Sequence, residues 1–297
     1  MIKQSSTYEQ QIAKLREHGC AVSDELFCKE ILSRVSYYRL SAYFLTFKME
    51  DGLYAPGTDF NKVFGIYEFD CKLRRLLFSV LEDLEIYLRA QLSYYHTQKY
   101  GALGYLNPDN FNSRHSHADF TARLDELVNG NDKLPFVAHH ITKYNNQFPL
   151  WVIMELFTFG MLSYFYAEML TPDRKKLAHK VFKTSVAEAK SWLYCCTNLR
   201  NMCAHSRRLY NSVFSVVPAN IPGVDEFSGR RLFAALMAVR ALYPCAEKWN
   251  NEFLSAMSAL FDEYRDAILL RHIGFPADWK KIMVLPKEVS IEGKDES

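Results

Sequence analysis

The chain has 297 residues, of which 49% are apolar and 24% charged, as expected of a folded protein with a sizeable buried core. The formal net charge of +2 gives no argument for nucleic-acid binding, which would need basic residues clustered on one surface. Only 12 Gly and 10 Pro are present, and this scarcity of turn residues argues against a β-sandwich or a β-barrel.

The N-terminal segment, residues 1–55, predicts two or three short helices between residues 8 and 47. Gly19 is expected to end the first helix, and Ser23 is expected to cap the second. A cluster of aromatic residues follows: Tyr37, Tyr38, Tyr43, Phe44 and Phe47. The three tyrosines of this cluster, together with Tyr94 and Tyr95, are expected to be core, with base stacking as the alternative. No apolar run follows Met1, so no signal peptide is expected.

The pattern of residues 56–248 predicts a helical core. Its first part, residues 60–100, is expected to form one long helix or two. Apolar residues recur there with a spacing of three and four. The other face of this helix is charged and carries Glu82, Glu85 and Arg89. These three residues form either an intrahelical charge ladder or a support for a functional residue on a neighbouring helix.

The rest of the chain also predicts helices, so the fold class is all-α. Weaker signals lie at 119–128 and 133–142, and Thr171 is expected to cap a helix that has Pro172 in its first turn. Residues 149–170 form the best candidate for a membrane span, but Glu155 and Gly160 interrupt them, so a buried helix is expected.

Ser185 and Glu188 form a capping box that opens a helix reaching at least Cys203. A loop is expected after Tyr210, because Pro218 and Pro222 follow. Helices resume at 230–241 and 249–273, and only residues 212–217 hint at a strand. A C-terminal extension, residues 249–297, is predicted to end in a frayed charged tail from residue 286 onward.

The helix after Ser185 combines a core face with a polar stripe. Cys195, Cys196 and Cys203 fall on the core face. The stripe contains Tyr194, Thr197, Asn198, Asn201 and His205, with Arg200 at its edge. If the helix continues, Arg207 and Arg208 join Arg200 on the same side.

Arg200, Asn201 and His205 suit metal-independent cleavage of RNA. Histidine can transfer a proton near neutral pH, and arginine can hold a phosphate and stabilise the charge that develops on it. RNA supplies its own nucleophile, the 2′-OH. The spacing alone is weak evidence, since Arg174 and His179 show the same R-x-x-x-x-H pattern without the asparagine.

Five sequence blocks, in order, resemble the Abi-like abortive-infection proteins of the AbiD/AbiF type. They are YYRLSAY at 37–43; IYEFD at 66–70 with LR at 73–74 and LEDLEIYLR at 81–89; YG at 100–101 with Tyr105; PLW at 149–151 with Glu155 and FG at 159–160; and LRNMCAH at 199–205 with RLYN at 208–211. Thr158 stands where the family usually has serine.

The resemblance implies a HEPN-like helical bundle in which Arg200, Asn201 and His205 form a ribonuclease site. It implies RNA as the substrate, phage defence as the role, and a possible antitoxin or regulatory RNA as a partner. HEPN sites are commonly composite, so one copy of the motif implies a homodimer. The alternatives are a non-catalytic RNA-binding or regulatory protein of the same fold, and a plain dimeric interaction protein.

Other candidate sites receive simpler interpretations. The seven cysteines are odd in number and lack a C-x-x-C pair, which predicts free thiols in a cytoplasmic protein. No metal site or cofactor is expected from them or from His115, His117, His139 and His140. Four basic residues were weighed as part of an RNA-backbone surface against a solvated face: Arg39, Lys72, Arg74 and Arg75.

Overall fold

Helices make up the secondary structure of this computed structural model, which describes residues 4–221, 224 and 229–286. The first ten are α1 Tyr8–Glu17, α2 Glu25–Arg34, α3 Tyr37–Phe44, α4 Phe60–Tyr100, α5 His117–Gly130, α6 Pro135–Lys143, α7 Leu150–Ile153, α8 Phe159–Glu168, α9 Thr171–Lys180 and α10 Val186–Ala204. Then follow α11 Leu232–Leu242, α12 (Ala246–Lys248, a π-helical turn Trp249–Phe253 and Leu254–Glu263) and α13 Trp279–Met283. These residues contain isolated β-bridges but no strand, so the all-α prediction is confirmed.

Helix α4 is the central element of the bundle. Its 41 residues form one unbroken helix about 60 Å long, and α3, α7, α8, α9, α10, α11 and α12 pack against it. Because neighbours surround it, α4 buries polar residues as well as its predicted apolar stripe: Asp70, Arg74, Glu85, Ser93 and His96. The charged face expected from the sequence is therefore partly an interior face.

Helix caps explain several boundaries. Asp24, rather than the expected Ser23, caps α2 by accepting a hydrogen bond from the Phe27 amide at 2.8 Å. Thr171 is the first residue of α9, and the N-cap position is Leu170. Thr158 caps α8 by accepting a hydrogen bond from the Met161 amide, a role that serine could also fill.

The three predicted segments share one apolar core. Ile12 from the N-terminal segment, Leu88 from α4, and Trp249 and Met283 from the C-terminal extension are all buried members of the same cluster. The boundaries near residues 55 and 248 stay a prediction, because a common core does not by itself define or exclude separate folding units.

Two C-terminal expectations were wrong. Residues 212–217 form no strand, and this loop instead returns over α10, where the Trp192 indole donates to the Ala219 carbonyl at 2.7 Å. The helix expected over 249–273 ends at Glu263, and a 3-10 turn, Leu270–Ile273, follows after a break. Pro222 and the tail from residue 287 onward lie outside the described residues.

Candidate functional site

Helix α10 carries the Arg-Asn-x-x-x-His residues on its last turn. Ser185 and Glu188 form the predicted capping box, with amide-to-side-chain distances of 3.2 and 3.1 Å. The side facing the core is buried, as predicted, at Cys195, Cys196 and Leu199. Asn201 and His205 are exposed. The helix therefore offers a carboxamide and an imidazole to solvent at one end of the bundle.

The helix ends at this point, one residue beyond the expected minimum at Cys203. His205 is the C-cap residue, and Ser206 adopts a left-handed conformation with φ of 53°. The helical rotation that would place Arg207 and Arg208 beside Arg200 is consequently lost. Arg207 is exposed, whereas Arg208 turns inward and donates to the carbonyl of Ala42 on α3. Arg208 is half-buried and links this turn to α3.

A buried carboxylate holds the turn that follows His205. Asp70 of α4 is fully buried and accepts hydrogen bonds from the Tyr43 hydroxyl at 2.7 Å and from Arg74 at 2.5 Å. It also accepts from the backbone amides of Leu209, at 3.1 Å, and Tyr210, at 2.9 Å. Burial raises the pKa of Asp70, while Arg74 and the other donors oppose that rise. Since every partner donates, the ionised carboxylate is the form that satisfies them all.

Two arginines hold the same turn through its carbonyl oxygens. Arg39 of α3 donates to the Ser206 carbonyl at 2.5 Å, and Arg74 donates to the Arg207 carbonyl at 3.2 Å. Arg74 is therefore a buried structural residue, and neither of its sequence interpretations was right. The sequence signal for Asp70 was available: it lies four residues after Ile66 and three before Leu73, on the apolar face of a long helix.

Arg200 is fixed by α4. Its Nε lies 3.4 Å from a carboxylate oxygen of Glu85, and its guanidinium sits 5.6 Å from the centre of the Phe78 ring. Glu85 also pairs with Arg89 at 2.6 Å, and Arg89 donates to the Phe157 carbonyl at 2.9 Å. Glu85 is thus both a member of an intrahelical pair and the support of Arg200. Two guanidiniums share one carboxylate, which leaves this cluster with a net positive charge.

The remaining residues of the polar stripe divide between surface and core. Tyr194 is 52% exposed, Asn198 is half-buried, and Glu82 of α4 is exposed. Thr197 was expected on the stripe but is buried, and its methyl group would lie 3.6 Å from a Cβ added at Gly160. Helix α8 therefore packs directly against α10 at this point, at a distance that leaves room for a Cβ.

The His115–His117 pair contacts other protein side chains, and the cysteines are unpaired. The His115 ring pairs with Glu168 at 2.7 Å and meets His117 at 3.2 Å, and it stacks on Phe111. All seven cysteines are free thiols. Within residues 4–221, 224 and 229–286, no group of three or more His, Cys, Asp or Glu side chains is arranged to hold a metal ion. None of the helices in those same ranges has the length and apolarity that a membrane crossing requires.

Comparison with known proteins identifies the family. The sequence profile of the Abi-like protein family matches residues 30–211, which is more than half of the chain and spans all five blocks quoted above. Neither curated proteins nor solved structures gave a significant match. The matched range begins within α2 and closes on the turn that Asp70 and Arg74 hold. The chain belongs to the Abi-like protein family.

Proposed function

We propose that this Abi-like protein is a metal-independent endoribonuclease of the HEPN superfamily, AbiD/AbiF type, which acts in abortive infection. The observation that carries the proposal is the arrangement at the end of α10. Asn201 and His205 are exposed there, and Arg200 is held beside them by Glu85 and Phe78. A charged group, a hydrogen-bonding amide and a titratable ring are thus presented together on a rigid helix.

The reaction needs no protein nucleophile. The 2′-OH of one nucleotide attacks the adjacent phosphorus atom, the bond from phosphorus to the 5′-oxygen breaks, and a 2′,3′-cyclic phosphate forms. One imidazole accepts the proton of the 2′-OH, and one protonated imidazole donates a proton to the departing 5′-oxygen. His205 is the residue proposed for proton transfer, and Asn201 is proposed to orient the phosphate.

Arg200 is proposed to stabilise the phosphate charge. Glu85 supports it at 3.4 Å but is shared with Arg89, so the positive charge of the cluster is only partly neutralised. A fixed guanidinium stabilises developing charge at little cost in reorganisation, because its orientation is set before the substrate arrives. Arg207 is exposed next to His205 and is a further candidate for phosphate contact.

A homodimer would complete the site. General acid and general base are two roles, and each copy of the chain offers one convincing His205 motif. Tyr194 lies on the same stripe of α10 and is 52% exposed, and exposed aromatic side chains of this kind are enriched at protein–protein interfaces. We therefore place the dimer contact along this stripe, so that the two α10 ends approach each other.

The test is cleavage of a labelled single-stranded RNA in EDTA by the wild-type protein, His205→Ala and His179→Ala. His179 is the matched control: it is an exposed histidine in the look-alike R-x-x-x-x-H pattern of α9. We expect EDTA-resistant cleavage by the wild type and by His179→Ala, and loss of at least about a hundredfold in His205→Ala.

The outcomes separate the candidate functions. Equal cleavage by wild type and His205→Ala would refute the assignment of His205. Tight binding of RNA by the wild type without any cleavage would favour the non-catalytic RNA-binding protein. The absence of both binding and cleavage would favour a plain interaction protein.

A further inference from the structure

A groove runs between the N-terminal helices and α4. Two adjoining cavities of about 740 and 700 Å³ form it, and they share walls made by Arg34, Val35, Tyr67, Cys71 and Arg75. Helices α2 and α3 with the residues that join them provide one wall, and α4 provides the other. The two cavities are therefore neighbouring parts of one channel open to solvent.

The groove ends at the Arg-Asn-x-x-x-His turn. Its second cavity is lined by Cys203, Ala204 and Ser206, which flank His205 on both sides in the sequence. Phe78, whose ring lies under the Arg200 guanidinium, also lines it. A chain lying in the groove would consequently reach the last turn of α10.

The cavity next to α10 is basic. Four arginines and no aspartate or glutamate line it: Arg34, Arg39, Arg74 and Arg75. Asp70 neutralises Arg74, but Arg39 donates to a backbone carbonyl and keeps its full charge. Arg75 is exposed and makes no ion pair with a described residue. Arg34 pairs with Glu30 at 3.1 Å with 61% of its side chain exposed, and such surface pairs are weak.

We propose that this groove binds the single-stranded RNA segment that flanks the cleaved phosphate, with Arg34, Arg39 and Arg75 contacting the backbone. The proposal rests on the proposed function, because it gives the RNA of the Arg200–His205 site a path across the protein. In the cavity next to α10 no carboxylate accompanies the arginines, which suits a phosphate chain, whereas Asp24 and Glu68 line the other cavity. Tyr67 is half-buried in the α4 wall of this groove, where its ring stacks on Phe64 and meets Tyr43 edge to face.

The dimensions favour a single strand over a duplex. Double-stranded RNA is recognised over about 16 base pairs, across two minor grooves, on a broad surface. This channel instead has the volume of a site for small groups, in which unpaired nucleotides can be accommodated. The overall charge of +2 hides this feature, because the positive charge is local.

The test measures binding rather than cleavage. The probe is a fluorescent oligonucleotide of about 12 nucleotides with 2′-O-methyl groups throughout, which lacks the 2′-OH nucleophile and stays intact. The full-length Arg34→Gln/Arg75→Gln variant is compared with Lys133→Gln/Lys143→Gln, which removes the same charge from exposed positions outside the groove. Fluorescence anisotropy is recorded from about 50 to 300 mM salt, where phosphate contacts make affinity salt-dependent.

We expect the groove variant to bind at least about tenfold more weakly at low salt. The slope of its log K against log[salt] should be shallower by about 1.4, which corresponds to two phosphate contacts. The control should keep the wild-type slope. The proposal would be overturned if both variants lost affinity equally or if the wild type did not bind the probe. It would also be overturned if the groove variant lost as much affinity for a 12-base-pair duplex as for the single strand. If the groove binds the probe but ordinary RNA is not cleaved, the groove proposal is supported and the proposed nuclease activity is refuted.

Discussion

Replacing Asp70 by Asn should destabilise the protein strongly, because this carboxylate joins three parts of the chain. It receives hydrogen bonds from Tyr43 on α3, from Arg74 on α4 and from two amides of the turn after α10. Asparagine keeps the shape and one carbonyl acceptor. It removes the charge that balances Arg74, whose side chain is only 6% exposed.

The expected cost is about 3–5 kcal/mol, the usual loss when one member of a buried ion pair is removed and the other charge stays buried. For a protein of this size that lowers Tm by about 5–8 °C. The measurement is urea unfolding followed by circular dichroism. Glu68→Gln is the matched control, because it removes a carboxylate from an exposed position of the same helix and should change stability by less than about 0.5 kcal/mol.

A double-mutant cycle separates the ion pair from the other contacts. Arg74→Met removes the buried charge, so Asp70→Asn should cost less in that background by about 1–3 kcal/mol. If Asp70→Asn alone costs less than about 1 kcal/mol, Asp70 is not the ionised acceptor that its four donors imply. If the cycle shows no coupling, the loss arises from Tyr43 and the turn amides instead.

Three further predictions concern single residues. Arg200→Lys keeps the charge but loses the flat contact with Phe78, so kcat/KM for RNA should fall about 10- to 100-fold, and an unchanged value would remove Arg200 from the site. Burial lowers the pKa of His96 to about 4, so between pH 6.5 and 4 the unfolded chain binds a proton that the folded protein does not. Stability should therefore fall by up to about 3 kcal/mol as the pH drops through that range, and urea unfolding of His96→Phe should show a smaller fall than the wild type. Tyr194→Arg should convert the proposed dimer to a monomer in light scattering at micromolar concentration, and a dimer of unchanged affinity would place the contact elsewhere.

The sequence predicted the helices well where the signal was local. The capping box at Ser185 and the apolar period of α10 fixed the start of that helix and its buried side, and both were found. Residues 60–100 were predicted as one long helix or two, and the structure has one, along which apolar residues recur. Such patterns depend only on neighbours in the chain, so no tertiary information is required to interpret them.

The expected caps Ser23 and Thr171 failed although capping is a local signal, and other features depend on tertiary contacts. Neither Gly nor Pro directly follows Ala204, and yet the helix ends there, because Asp70, Arg39 and Arg74 hold the next residues in another conformation. Thr197 is buried because α8 packs against α10 beside it. In both cases the deciding contacts come from residues distant in the sequence, which a helical projection cannot include.

Tertiary contacts also bring together in space the sequence blocks that resemble the family. Tyr43 comes from the first block, Asp70 from the second and Tyr210 from the last, and one carboxylate joins all three. The turn they form begins at the residue after His205. A substitution at Asp70 should therefore disturb the position of His205 together with stability, whereas one at His205 should leave stability almost unchanged because that side chain is exposed. A substitution in the fold can therefore impair the candidate site, but a substitution of an exposed site residue should not impair the fold. A variant that loses RNA cleavage without losing stability would have its defect in the site itself.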